Sequence, residues 1–132
     1  MLDKLLKSNI AIVGGGNFCK KLLQLLFSEP FKDDHPTILG IADTNSEAEA
    51  VVCAKQRGIL TTLNYRELYD LKGLQILMEL TPDVELGGII NKEKPPGVEL
   101  IDHVTARTVW SALQVEAEKR SALKELRQNN FK

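Results

Sequence analysis

Three consecutive glycines, Gly14, Gly15 and Gly16, separate an apolar run (Ile10, Ala11, Ile12, Val13) from a helix-like stretch that begins almost at once. The chemistry open to them is anion binding. The first turn of a helix presents unpaired backbone N–H groups and a partial positive charge. A phosphate reaches that turn only where side chains leave the backbone clear, and glycine does so. In the spacing G-x-G-x-x-C, Gly14 makes the tight turn and Gly16 lets a pyrophosphate touch the backbone. Asn17 and Phe18 complete the predicted phosphate loop. Cys19 stands where a third small residue lets helix and strand pack closely, and it is small and apolar enough for that task. A reactive thiol at a helix start is the competing role for Cys19.

Asp43, with Thr44 after it, ends a second apolar run, TILGIAD. A carboxylate at the end of a second strand accepts hydrogen bonds from an adenosine ribose. Asp43 lies 27 residues after Gly16, against a usual spacing of about 20. The excursion SEPFKDDHP accounts for the excess. A solvated turn aspartate is the other reading of Asp43. No arginine follows closely, so a 2′-phosphate would meet repulsion and NAD is favoured over NADP. Nucleotide hydrolysis of the kinase-loop type is disfavoured, because Leu22 follows Lys20 and Lys21 where a magnesium-binding hydroxyl would be needed.

Several classes are disfavoured by composition. The net charge is -1, and lysines and arginines are interleaved with acids, which gives a nucleic-acid backbone nothing to hold. No apolar run approaches the roughly 20 residues of a membrane span, and MLDKLLKSN lacks the core of a signal peptide. Cys19 and Cys53 show neither metal-ligand nor disulfide-framework spacing, so no metal is expected. Two unpaired cysteines suit a reducing cytoplasm.

The elements that must position these residues alternate between strand and helix types. Strands are predicted at about 8–13, 37–43, 59–63, 74–80 and 98–102. A helix rich in Leu22, Leu23, Leu25 and Leu26 follows the first, and one capped by Asn45 or Ser46 and stopped by Gly58 follows the second. A short helix over 64–71 starts at Asn64, another opens at Thr81-Pro82-Asp83, and a long one runs from about Val104 to the end. Such alternation predicts right-handed βαβ units, an α/β doubly wound parallel sheet of Rossmann-like type in the order 3-2-1-4-5. Residues 1–105 form the expected nucleotide-binding domain and 106–132 a C-terminal helix.

The stretches IAIVGGGNFCKKLLQLL, ILGIADTNSEAEAVVCAKQRGI, NYRELYDLKGLQILMELTPD and VELIDH, in that order, resemble the N-terminal NAD(P)-binding domain of the glucose-fructose oxidoreductase and homoserine dehydrogenase kind. The resemblance covers about residues 8–105 and implies that Thr81 and Pro82, after the fourth strand, lie beside the cofactor. Members of that family continue into a substrate domain that supplies catalytic groups, and the expectation for these residues is a module without one. Glu93-Lys94-Pro95 is similar to the family's Glu-Lys-Pro motif, but precedes the fifth strand instead of following it, and reads as a helix terminus. Asp102-His103 follows that strand instead, and His103 is either a pocket residue or a satisfied or solvated one. Glu79, in an otherwise apolar strand, either has a role in a pocket or points at a helix N-terminus or loop amide.

The last helix carries an apolar stripe, Ala106, Val109, Trp110, Leu113 and Ala117, which thins beyond Ala117 among interleaved charges. The first half is expected to pack on the sheet, and 118–130 to extend and pair with a second copy. The tail also resembles the signalling helix of bacterial two-component sensors. A plain capping helix with a frayed end is the alternative. The expected function is an NAD-binding regulatory or sensory module. Alternatives are an NAD-dependent oxidoreductase completed by a partner chain or oligomer, and a degenerate dimerisation domain that binds no nucleotide. S-adenosylmethionine is a further possible ligand, disfavoured because the all-parallel reading leaves no room for an added antiparallel strand.

Overall fold

β1 (Asn9–Val13) sits at the centre of a five-stranded sheet in a computed structural model that describes residues 2–130. Its neighbours are β2 (Thr37–Ala42) and β4 (Ile76–Glu79), with β3 (Leu60–Thr62) and β5 (Glu99–Ile101) at the edges. All pairings are parallel and the order is β3-β2-β1-β4-β5, as the alternation of elements predicts. Ile10, Ala11 and Ile12 are fully buried, as expected of a strand covered on both faces. Val13 is in register with Ala42 on one side and with Glu79 on the other, so three strands end level around the glycines.

Alternate β1 side chains feed two cores. Ile10 and Ile12 join the larger one, beneath α2 (Asn17–Leu26), α3 (Glu49–Gln56) and α5 (His103–Asn130). Ala11 and Val13 join the smaller one, covered by α4 (Leu86–Glu93) and by a 3-10 segment, Tyr65–Asp70. Asn64 caps that segment as expected, its side chain accepting the Arg66 amide at 3.1 Å.

Three boundaries differ from the sequence reading, each for a local reason. An additional N-terminal helix, α1 (Leu2–Leu6), buries Leu5 and Leu6 in the larger core; its signal was the helical spacing of Leu2, Leu5 and Leu6. α3 begins at Glu49, with neither Asn45 nor Ser46 as its cap. Asp43 accepts the Asn45 amide and Asn45 accepts the Glu47 amide, which holds the segment in turns. α4 begins at Leu86 instead of Thr81. There, Thr81 Oγ1 accepts the Asp83 amide and Asp83 Oδ1 the Glu85 amide, so side chains compete with the helix for its first donors.

α5 is 28 residues long, about 42 Å at 1.5 Å per residue. Ala106, Val109, Leu113 and Ala117 are buried along one stripe, as expected. Beyond Ala117 contact with the domain continues through polar groups, which the sequence reading did not foresee. Arg120 donates to Asp34 at 2.9 Å and to the Pro30 carbonyl at 3.3 Å, and its guanidinium lies 4.9 Å from the Phe31 ring centroid. Lys124 reaches Glu29 at 2.7 Å. Residues 121–129 are exposed. Phe131 and Lys132, expected as the end of this helix, lie outside the described residues.

Candidate functional site

The three glycines do three different things. Gly14 takes φ +106°, a conformation that a side chain strains, and a Cβ there would lie 3.1 Å from the Leu80 carbonyl carbon and 3.3 Å from the Thr81 nitrogen. The turn therefore needs glycine twice over. Gly15 is a packing glycine: an added Cβ would fall 2.6 Å from Val51 Cγ2. Its amide donates to Asp43 Oδ2 at 2.8 Å and its carbonyl accepts the Ala50 amide at 2.7 Å, tying the loop to β2 and to the start of α3. Gly16 caps α2 without a side-chain partner, and an added Cβ would meet nothing within 4 Å. Among the described residues the Asn17 and Phe18 amides have no protein acceptor. An open cradle before free helix amides suits the phosphate of a nucleotide.

A cavity of about 230 Å³ adjoins this loop, and Val13, Gly14, Asp43, Thr44, Thr81 and Leu86 are among the residues lining it. The structure thus gathers Gly14, Asp43, Thr44 and Thr81 at the carboxyl edge of the sheet. Pro82 is exposed next to Thr81, and Gly15 is buried beneath the loop. The Phe18 ring turns away to Trp110, edge to face at 5.8 Å. Asn17 and Phe18 border a separate groove that also carries Lys21 and Arg107.

Both Asp43 oxygens already hold backbone amides, Gly15 on Oδ2 and Asn45 on Oδ1 at 2.9 Å. Each carboxylate oxygen accepts more than one hydrogen bond, so a ligand hydroxyl still finds an acceptor there. On the far side of Asp43 a second depression is lined by Ser46, Lys55 and Thr61, among others. Lys55 escaped the sequence reading because it stands two turns into α3 and only the fold brings it near Asp43.

At the other end of the edge, Glu79 is fully buried and accepts four hydrogen bonds. Oε2 takes the Thr81 amide at 2.7 Å and the Thr81 hydroxyl at 2.5 Å. Oε1 takes the His103 amide at 3.3 Å and faces its ring Nδ1 at 2.6 Å. Glu79 therefore points at both a loop amide and the N-terminus of α5. Asp102 accepts the Thr105 amide at 2.9 Å at the head of the same helix, and that bond holds its carboxyl below the usual carboxylate range.

Cys19 is 1% exposed, and burial pushes its thiol up to about 12, with Cys53 and Asp43 adding to the rise. That environment opposes a thiolate, and the side chain packs in the larger core. Glu93 accepts from Arg66 at 3.0 Å and from the Tyr69 hydroxyl at 3.1 Å, and Lys94 caps α4. The Glu-Lys-Pro stretch is a helix terminus, as its position before β5 implies. Among the described residues no cluster of three His, Cys, Asp or Glu side chains is placed to hold a metal, and no helix is long and apolar enough to cross a membrane.

No protein-family model matches the chain, and no curated protein sequence matches it. Among solved structures, the chain is similar to a 3-ketoreductase from Actinomadura kijaniata in complex with TDP-benzene and NADP. That likeness has a TM-score of 0.57 at 17% identity, over 86% of this chain and 35% of that one. A levoglucosan dehydrogenase in complex with NADH is matched at a TM-score of 0.49 and 20% identity, over 73% of this chain and 27% of that one. This chain therefore spans about a third of the length of the first of these oxidoreductases. What the likeness establishes is the Rossmann-like fold.

Proposed function

We propose that this chain binds a nicotinamide dinucleotide, NAD in preference to NADP, across the carboxyl edge of its sheet. The observation that carries the reading is Gly16, open where a Cβ would stand and followed by the unpartnered amides of Asn17 and Phe18. In this reading the pyrophosphate rests on Gly14 to Phe18 and the adenosine ribose hydrogen-bonds to Asp43, with Thr44, Thr81 and Pro82 alongside. The module is regulatory or sensory and works in the cytoplasm. Residues 1–105 bind the nucleotide, and the helix from 106 onward packs and then joins a second copy.

The test is a titration with NAD, NADH, NADP and S-adenosylmethionine, followed by thermal stability and by fluorescence. Trp110 is the single tryptophan and rests on Phe18, so its emission reports on the loop. A ligand at 100 times its dissociation constant adds about 2.7 kcal/mol. NAD is expected to give the largest rise. No response to any of the four leaves a Rossmann-like dimerisation domain without a nucleotide.

A second reading, an NAD-dependent oxidoreductase completed by a partner chain or oligomer, has its own support. His103 with Nδ1 on the buried Glu79 carboxyl is the geometry of an oriented acid–base group.

A further inference from the structure

Glu79 and His103 form a pair that the phosphate loop and Asp43 leave unused. Three of the groups on Glu79 are donors: the Thr81 amide, the His103 amide and the Thr81 hydroxyl, whose oxygen in turn accepts the Asp83 amide. Glu79 is thus an acceptor throughout, and His103 Nδ1, 2.6 Å from Oε1, is the fourth donor. With the proton on Nδ1 held by Glu79, Nε2 is the ring nitrogen left for another partner, an acceptor in the imidazole and a donor in the imidazolium. Nε2 has no hydrogen-bond partner among the described residues. No buried side-chain nitrogen or oxygen there lacks a partner, so Nε2 reaches solvent, consistent with a side chain 25% exposed.

The topology says what lies over it. A dinucleotide with its pyrophosphate at the head of α2 and its adenosine over the end of β2 extends its other half over β4 and β5. Glu79 ends β4, and His103 follows β5 after a single residue. From this placement we infer that His103 is a ligand-contacting, specificity-determining residue, its Nε2 sharing a hydrogen bond with a hydroxyl of the ligand's second ribose. Glu79 is the positioning residue that fixes the ring. The inference rests on the dinucleotide reading above, to which it adds a second recognition point.

The experiment compares NAD with ADP, which lacks the second half, on the full chain. His103→Asn keeps a side-chain amide to donate to Glu79 and removes Nε2, and His103→Ala is the second variant should the first fold poorly. Calorimetry is expected to show NAD binding weakened about fivefold, the effect of one hydrogen bond, with ADP binding unchanged. In the wild type, the Nε2 nitrogen resonance shifts on adding NAD and stays put on adding ADP. Equal losses for NAD and ADP, or no loss for either, overturn the inference while leaving the nucleotide reading intact. If neither NAD nor ADP binds the wild type, both fall together.

Discussion

Asp43 Oδ2 accepts the amide of Gly15 at 2.8 Å, while Oδ1 accepts that of Asn45 at 2.9 Å. One carboxylate therefore shapes the glycine loop from below and is presented to the cavity beside it. In the proposed reading binding and folding are therefore coupled at this residue, and substitutions there are expected to act on both.

Asp43→Ala is expected to weaken NAD binding more than NADP binding, because the carboxylate accepts a 2′-hydroxyl and repels a 2′-phosphate. It also strips the Gly15 amide of its partner, at a cost of about 1–3 kcal/mol in stability. Calorimetry with both cofactors and urea unfolding check the two effects separately. Equal losses of the two cofactors would remove Asp43 from the ribose and leave its loop-holding role.

Adjacent glycines are expected to respond in opposite ways. Gly15→Ala drives a methyl to within 2.6 Å of Val51 Cγ2, and overpacking of this kind costs about 1–3 kcal/mol. A second change, Val51→Ala, should recover part of that loss. Gly16→Ala meets nothing within 4 Å, so its unfolding curve should stay near wild type while nucleotide affinity drops. A Gly16→Ala protein that binds NAD normally would show that the open cradle is not the phosphate seat.

Much of this arrangement was legible in the sequence for physical reasons. β1 and β4 are apolar enough to be buried on both faces, and the glycines after β1 mark the strand-to-helix turn. Glu79 was visible as an oddity among Ile76, Leu77 and Met78, but its partner His103 stands 24 residues away and only β4–β5 pairing brings them together. The clamp of Asp43 on Gly15 and the hold of Arg120 on Asp34 are long-range in the same sense, 28 and 86 residues apart. Periodicity reports which face of an element is buried and is silent on which polar groups meet across elements.

Cys19 links stability to alkaline pH. Its folded-state value is raised from 9.0 to about 12, so the folded chain keeps a proton that the unfolded chain releases. Below pH 9 the thiol is neutral in both states and the contribution is fully present. Between pH 9 and 12 stability should fall by up to about 1.4 kcal/mol per pH unit from this one group. Cys19→Ala should flatten that part of the profile in urea unfolding. At pH 8 a thiol reagent should label half-buried Cys53 in the native chain and reach Cys19 only after denaturation. Rapid native labelling of Cys19 would contradict its burial.

The tail tests whether binding is passed to a neighbour. Beyond Ala117 the buried stripe ends, and Leu123 and Leu126 stand 44% and 57% exposed among charges. Interleaved charges pair readily between helices and are costly in a core. Arg120 and Lys124 hold one side of the helix against residues 29–34, and Leu123 borders the groove between them, so the proposed pairing would use the side carrying Leu126. Those ion pairs are partly exposed and add little to global stability. Arg120→Ala should therefore raise amide exchange over 118–127 without unfolding the sheet. Sedimentation of the full chain is expected to show a dimer, and a version ending at Ala117 a monomer. Truncation also removes the Arg120 contacts, so Leu126→Lys in the full chain is the cleaner probe, and it should dissociate the dimer while leaving the Arg120–Asp34 pair in place. If the full chain sediments as a monomer at high concentration, the helix only caps its own domain.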